Sequence, residues 1–312
     1  MRVLVMGAGA VGGFYGWRLL ERGHAVTFVA RGPQREALSG RGLELKSHGQ
    51  SLGVRPVQAV GEPRGAEPGP DLVLFTVKGY DTEAAARALA PVVGSSTAVL
   101  TLQNGVDGPE RLGGILGVDR LLIGTTVLEA TVAEPGVVEQ GGPTPRIVVG
   151  EPSGAVTARV EAIAAAFREA GVEAHVVTDP RRALWEKFVR LAPGATLTSA
   201  CQATIGALRG LPETAALYRT LVAEAVAVGG AAGARLPPDA ADAAWAWIAA
   251  LPGSMKTSMQ RDFERGRPVE LEELTGTVVR LGARLGVPTP AFAVLYAVLK
   301  ARVPGRPGGD AR

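Results

Sequence analysis

Short apolar runs alternate with segments of helical periodicity from the start of the chain to about residue 178. The run at 71–77 is almost wholly apolar, which is expected of a strand buried on both faces. Similar runs predict strands at 3–6, 25–29, 98–102, 121–127 and 146–149. Strands that alternate with helices in this way predict a doubly wound α/β sheet.

The pattern changes at Asp179. Beyond it, Ala- and Leu-rich segments with helical spacing follow one another, and no strand pattern is recognisable. The predicted helices span 184–192, 213–229, 238–250, 270–285 and 290–302. We therefore predict an N-terminal Rossmann-like domain, residues 1–178, and an all-helical domain, residues 179–303, that carries the substrate and catalytic groups. The Gly- and Pro-rich residues 304–312 are predicted to be disordered.

A glycine-rich turn, Gly7-Ala8-Gly9-Ala10-Val11-Gly12, joins the first strand to the first helix. In a G-x-G-x-x-G pattern the first glycine permits a tight turn, the second lets phosphate approach the backbone, and the third allows close helix–strand packing. The N–H groups and dipole of the helix start favour an anion. The turn is therefore predicted to bind the pyrophosphate of a dinucleotide; the alternative is a glycine turn that binds nothing.

Arg31 follows the second strand. Sites that prefer NAD usually carry an acidic residue near this position, which accepts a hydrogen bond from the ribose 2′-hydroxyl. No acidic residue lies between Gly23 and Gln34, and an arginine pairs well with a phosphate. The sequence therefore favours NADPH over NADH, although an ordinary surface arginine would give the same pattern.

Composition limits the classes of protein to which the chain can belong. Its 312 residues are 46% apolar with a formal net charge of +3, which argues against disorder and against nucleic-acid binding. No apolar run reaches the length of a membrane span, and the first residues do not resemble a secretory signal. The single cysteine, Cys201, excludes an internal disulfide, fits the cytoplasm and is expected to be buried. The three histidines are not spaced as a metal pair, so no metal site is predicted.

Lys78 and Asn104 each follow an apolar strand. Ligands of open α/β sheets bind at the carboxyl ends of strands, so both residues are candidates for contact with a cofactor, and Asn104 also with a substrate. The alternative for Lys78 is a solvated lysine at the end of a strand. The alternative for Asn104 is that the Asn-Gly pair forms a turn because of its backbone conformation.

Lys187 lies at the margin of an apolar helical face that includes Trp185, Phe188 and Leu191. A lysine in this position can be partly buried and directed into a cleft. Judged from spacing alone, such a lysine is more often a structural residue that extends its amine to solvent than a functional one.

Polar residues further along the chain are also candidates. Glu270, Glu272 and Glu273 follow Pro268 at a predicted helix start, where acidic residues are favoured by the helix dipole. The alternative is that one of them orients a lysine. Ser258 can cap a helix or donate a hydrogen bond to a substrate carboxylate.

Taken together, these segments resemble the ketopantoate reductase (2-dehydropantoate 2-reductase) family over nearly the whole chain. The matching segments are residues 7–12, 31, 76–78, 103–105, 184–188, 257–262 and 270–276. The resemblance implies hydride transfer from NADPH to the 2-keto carbon of ketopantoate, which gives pantoate for pantothenate and coenzyme A biosynthesis.

The resemblance also implies roles for individual residues. Lys187 matches the proton donor of the family, and Glu270 matches the acid that orients this lysine and the substrate. Asn104 and Ser258 match substrate-contacting positions, while Arg31 and Lys78 match cofactor-contacting positions. An ammonium group near the developing alkoxide would both stabilise its charge and supply the proton.

One departure from the family concerns the substrate. The family usually has Asn four and eight residues after its lysine, where this chain has Leu191 and Ala195. Neither side chain can hydrogen-bond, so specificity is expected to differ unless Arg190, Thr196 or Thr198 compensates. The alternatives are a reductase of another 2-keto acid and a dinucleotide-binding sensor without turnover. The helical second domain is also a candidate homodimer interface.

Overall fold

A computed structural model describes residues 1–303; the predicted tail, residues 304–312, lies outside this range. The chain forms two compact units. The first contains Met1–Gln103 and Gly108–Pro180, and the second contains residues 181–303 together with Asn104–Asp107. This short segment lies within the first predicted domain along the sequence, but it packs with the second unit.

The first unit is built on one sheet. Its strands are β1 (Arg2–Met6), β2 (Ala25–Val29), β3 (Leu43–Ser47), β4 (Gln50–Arg55), β5 (Gln58–Val60), β6 (Leu72–Phe75), β7 (Ala98–Thr101), β8 (Leu121–Glu134), β9 (Val137–Gly150) and β10 (Glu173–Val176). The central strands are parallel, in the order β8-β7-β6-β1-β2-β5. Strands β6 and β7 are buried along their whole length, as their apolar sequences predict.

Helices cover this sheet. They are α1 (Ala10–Glu21), α2 (Gly32–Arg41), α3 (Thr82–Leu89), α4 (Gly108–Leu116) and α5 (Ala158–Glu169). Helix α1 contributes the fully buried rings of Phe14, Tyr15 and Trp17 to the core. Large apolar side chains on one helix, packed over buried strands, account for most of the driving force for folding in such a layer.

The antiparallel pair β8 and β9 is longer than the sequence predicts. The predicted strands at 121–127 and 146–149 are only the inner parts of the pair. The outer part of β8 alternates between exposed and half-buried residues, which makes its strand signal weak. Strand β9 pairs with β3 along its first part and with β10 along its last part, so neighbours remote in sequence extend it.

Glycines set the distance between α1 and the sheet. A β-carbon at Gly12 would lie 2.2 Å from the Gly7 carbonyl oxygen and 2.4 Å from Thr76 Oγ1. A β-carbon at Gly16 would lie 2.4 Å from the Phe28 ring. These distances are shorter than non-bonded atoms tolerate, so α1 can lie this close only with glycine at both positions.

The regular secondary structure of the second unit, within its described residues, consists of helices joined by short connections. It contains α6 (Pro180–Cys201), α7 (Ile205–Gly210), α8 (Pro212–Ala231), α9 (Ala240–Ala250), α10 (Ser258–Glu264), α11 (Thr277–Leu285) and α12 (Pro290–Lys300), with a π-helical turn at Glu272–Gly276. The turn replaces the start of the helix predicted at 270–285. Helix α6 extends well beyond the predicted 184–192 and continues through Pro193. Cys201, at its end, is exposed, so the prediction that it is buried was wrong.

The predicted fold class, a Rossmann-like α/β sheet followed by an all-helical region, is confirmed. The antiparallel β8–β9 pair makes the sheet mixed rather than purely parallel. Across residues 1–303 there is no helix that combines the length and the apolar character required to cross a membrane.

We expect Gly12→Ala to destabilise the protein by about 2 kcal/mol, because the added methyl group must displace backbone and side-chain atoms. Urea or guanidinium unfolding measures the change. Gly114→Ala is the matched control, since Gly114 is an exposed helix position where a β-carbon meets nothing within 4 Å. That variant should gain about 0.5–1 kcal/mol from helix propensity. Equal stability of the two variants would contradict the packing argument.

Candidate functional site

The glycine turn after β1 is held against the end of β6. Gly7 has φ +105°, a conformation that favours glycine, and its β-carbon would lie 2.9 Å from the Val77 backbone nitrogen. The Thr76 hydroxyl donates a hydrogen bond to the Gly7 carbonyl oxygen at 2.8 Å. The turn is therefore fixed by the neighbouring parallel strand, at the carboxyl edge of the sheet.

The start of α1 is open to an anion. Its N-cap residue, Gly9, supplies no side-chain cap, and no acidic residue lies in the first turn. A β-carbon at Gly9 would meet no atom within 4 Å. The first N–H groups of a helix have no acceptor within the helix, so this end presents donors next to open space.

The N–H groups of two predicted cofactor-binding residues already have a partner in the protein. The N–H groups of Gly7 and Ala8 both donate to the Val29 carbonyl oxygen at 3.3 Å. These residues therefore shape the turn, while the N–H groups available to a ligand belong to the start of α1. This division depends on the pairing of β1 with β2, which residue types alone do not reveal.

The remaining predicted cofactor residues follow the two strands that flank β1. Arg31 is exposed between β2 and α2, and Lys78 is half-buried just after β6. Gln34 was not predicted as part of this region. Its side-chain amide donates to the Ala8 carbonyl oxygen at 2.8 Å and accepts from the Gly136 N–H at 3.0 Å. Gln34 thus ties the glycine turn to the β8–β9 connection, a contact that no local pattern indicates.

Lys187, Asn104 and Glu270 come together in the second unit. The Lys187 ammonium donates a hydrogen bond to Asn104 Oδ1 at 3.0 Å. Although the side chain keeps some exposed surface, desolvation lowers the pKa of Lys187 from 10.5 to about 8, and the negative charge of Glu270 acts in the opposite direction. Glu270 itself is only 5% exposed. An amine of this kind can exchange a proton near neutral pH.

The loop that carries Asn104 is packed on the π-helical turn. Gly105 has φ +98°, and its β-carbon would lie 3.2 Å from the Glu273 carbonyl oxygen. Arg280 Nη2 lies 3.6 Å from Asp107 Oδ2, and Arg280 Nη1 lies 3.1 Å from Glu272 Oε2. Arg280 therefore links the loop that holds Asn104 to the turn that follows Glu270, and no sequence signal pointed to it.

The acidic residues at this turn differ in their partners. Glu272 accepts hydrogen bonds from Tyr296 and Lys300; burial acts to raise its pKa, but these bonds hold it below the usual value. Glu272 is thus engaged with α12. Glu270 is the acidic residue whose charge acts on Lys187.

The predicted substrate contacts are less closely grouped. Ser258 is exposed at the first position of α10, a helix capped by the Thr257 hydroxyl, and it makes no hydrogen bond to Lys187 in the described structure. Thr196 and Thr198, proposed as compensating polar groups, are fully buried. Thr196 bonds to Thr275 and Thr198 to Thr257, both at 2.8 Å.

Two further predictions concern a metal site and the third polar group proposed near the substrate. No group of three or more His, Cys, Asp or Glu residues could hold a metal ion within residues 1–303. Arg190, the third candidate for compensation, lies 5.9 Å from the centre of the Trp247 ring. The first unit thus has an uncapped helix start that is suited to an anion, and the second unit has a partly buried lysine whose pKa is lowered to about 8.

Comparison with known proteins assigns both parts of the chain. Residues 3–154 match the model of ketopantoate reductase PanE/ApbA, and residues 179–303 match the model of its C-terminal domain. A 2-dehydropantoate 2-reductase from Mesorhizobium japonicum is 33% identical, with 96% of this chain and 97% of the relative covered. One from Halobacterium salinarum is 34% identical, with 95% and 96% covered.

Solved structures agree with this assignment. The crystal structure of 2-dehydropantoate 2-reductase from Geobacter metallireducens superposes with a TM-score of 0.89 at 32% identity, covering 96% of this chain and 99% of that one. Both family models, the relatives and the structure point to the same enzymes. This chain therefore belongs to the ketopantoate reductase family of oxidoreductases.

Proposed function

We propose that this protein catalyses the NADPH-dependent reduction of 2-dehydropantoate (ketopantoate) to pantoate, a step of pantothenate and coenzyme A biosynthesis. The observation that carries the proposal is the Lys187 ammonium, hydrogen-bonded to Asn104 and acted on by the charge of Glu270. Reduction of a carbonyl group places negative charge on its oxygen and then requires a proton. An ammonium group beside that oxygen can stabilise the charge and donate the proton.

The first unit has the features that a dinucleotide needs. The open space at Gly9 and the uncapped start of α1 suit a pyrophosphate. Arg31, exposed after β2, is suited to a 2′-phosphate, and Lys78 offers a second cation at the same edge of the sheet. When bound, NADPH supplies the hydride that adds to the 2-keto carbon.

The second unit supplies the proton. In the proposed reaction Lys187 donates the proton from Nζ to the keto oxygen, while its hydrogen bond to Asn104 fixes the direction of the amine. The Glu270 carboxylate favours the protonated amine against the effect of burial. Ser258 is proposed to donate a hydrogen bond to the substrate carboxylate.

A second candidate is the reduction of a more apolar 2-keto acid. Leu191 and Ala195 cannot hydrogen-bond, and Thr196 and Thr198 already bond to other threonines. A kinetic panel of 2-keto acids with NADPH separates the two candidates. A clear preference for ketopantoate over apolar 2-keto acids would eliminate the second one. A sensor without turnover is disfavoured because it has no need for a desolvated lysine.

Wild-type protein should reduce ketopantoate with NADPH much faster than with NADH at low cofactor concentration. Arg31→Ala should raise the KM for NADPH about tenfold or more, since a charge-assisted hydrogen bond contributes roughly 1.5–3 kcal/mol, and leave the KM for NADH unchanged. Arg22→Ala, which removes another exposed arginine, is the control. An Arg31 variant that keeps the full preference for NADPH would refute the role of Arg31.

Lys187→Ala should lower kcat at least about a hundredfold, because general acid catalysis contributes about 10²–10⁴ in rate. NADPH should still bind to this variant, as measured by fluorescence titration. Lys46→Ala, on strand β3, is the matched lysine control. If Lys187→Ala retained a large part of the wild-type kcat, another group would have to be the proton donor.

The rate of ketoacid reduction should decrease as pH rises through the pKa of Lys187, about 8 in the free protein, because only the protonated amine donates. Glu270→Gln should move this decrease to lower pH, since the carboxylate raises the pKa of Lys187. The pH profile of kcat/KM, together with NMR titration of the lysine amine, measures both effects. A decrease that stays in place or moves to higher pH would exclude Glu270 as the group that acts on Lys187.

A further inference from the structure

Helix α6 contains two residues that oppose a helix at its centre. Pro193 lacks the N–H that would bond to the Val189 carbonyl oxygen, and Gly194 follows it directly. Sequences keep such locally unfavourable residues mainly where function or close packing requires them. The environment of Gly194 shows what is required here.

Gly194 makes room for a tyrosine hydroxyl. A β-carbon at this position would lie 2.6 Å from the Tyr218 hydroxyl oxygen and 3.8 Å from Thr257 Cγ2. The Tyr218 ring is packed edge-on against Trp245, with the ring centres 5.9 Å apart. Tyr218 therefore extends from α8, through the core, and ends with its hydroxyl against α6.

Within residues 1–303 this hydroxyl makes no hydrogen bond to another side chain. Tyr218 is 1% exposed, and its oxygen is not one of the fully enclosed polar atoms that lack a partner, so a small molecule can reach it. The contrast is Tyr15, equally buried, whose hydroxyl bonds to Thr126 Oγ1 at 2.5 Å. Buried polar groups are nearly always paired, so an unpaired one calls for a ligand or a water. Burial raises the pKa of Tyr218, so the group stays a neutral donor and acceptor.

Gly194 lies on the face of α6 that carries Lys187. The two residues are seven positions apart, which is close to two helical turns. Leu191 lies between them and is apolar. Thr198, one further turn along, uses its hydroxyl on the Gly194 carbonyl oxygen and on Thr257, the neighbour of Ser258. The Tyr218 hydroxyl is therefore an uncommitted polar group on the face of α6 that carries Lys187, and it lies near Thr257, the neighbour of Ser258.

We propose that the Tyr218 hydroxyl, admitted by Gly194, hydrogen-bonds the distal hydroxyl of the 2-keto acid substrate. It thereby selects hydroxylated over purely apolar 2-keto acids. A neutral hydroxyl suits an alcohol group better than a carboxylate, which favours a cation. This inference rests on the proposed reductase function.

Two substrates that differ only in this hydroxyl test the proposal: ketopantoate and 3,3-dimethyl-2-oxobutanoate. Wild-type protein should prefer ketopantoate in kcat/KM with NADPH. Tyr218→Phe should lower that preference about tenfold, the order expected for one hydrogen bond, through loss of activity on ketopantoate alone. Gly194→Ala, which displaces the hydroxyl, should change the ratio in the same direction.

Tyr15→Phe is the control, because it removes a buried hydroxyl that already has a partner; it should lower the melting temperature and leave the substrate ratio unchanged. The proposal is overturned if wild-type protein reduces both acids equally well, or if Tyr218→Phe leaves the ratio unchanged. In the latter case the hydroxyl serves packing or a buried water. If Tyr218→Phe does not fold, an unchanged ratio in Gly194→Ala overturns it. Wild-type protein that reduces neither acid refutes the reductase function itself, and this inference with it.

Discussion

A lysine ammonium that is buried loses its hydration, so hydrogen-bond acceptors or negative charges in the protein must replace the lost water. The arrangement around Lys187 in the second unit meets this requirement. Lys187 has Asn104 as its acceptor and the charge of Glu270 nearby. Both partners are remote from α6 in sequence. Arg280 joins the two segments that hold them, through Asp107 in the Asn104 loop and Glu272 in the turn that follows Glu270. The chemistry proposed for Lys187 therefore depends on contacts that the lysine does not make itself.

In the first unit, the structure around the glycine turn depends on how closely the backbone segments can approach one another. Gly7 turns the chain beside β6, Gly12 lets α1 approach β1, and Gly9 leaves room at the helix start. Each glycine has a different physical reason, although the sequence pattern treats them alike. The structure also shows that the N–H groups of Gly7 and Ala8 serve the sheet. The proposed anion site consequently depends on the start of α1 and not on the whole turn.

Local sequence was sufficient where the signal is a repeated pattern. The parallel strands, the glycine turn and the change to helices near residue 179 were all predicted from spacing. It was insufficient where an element depends on distant neighbours. Strand β9 is extended by pairing with β3 and β10, and the helix predicted from residue 270 begins instead with a π-helical turn against the Asn104 loop. The exposed position of Cys201 at the end of α6 likewise follows from packing that its residue type does not reveal.

The sequence by itself determined the fold class and the location of the glycine turn, because periodicity and motif spacing are properties of nearby residues. Spacing also made Lys187, Glu270 and Asn104 candidates but left a structural alternative open for each, and their proposed roles came from the family resemblance. Only the tertiary structure decided which of these groups meet. It joined Asn104 to Lys187, committed Thr198 to Thr257, and brought the Tyr218 hydroxyl to Gly194. Hydrogen bonds and desolvation act over a few ångströms, so their strength depends on packing between segments that are far apart in the chain.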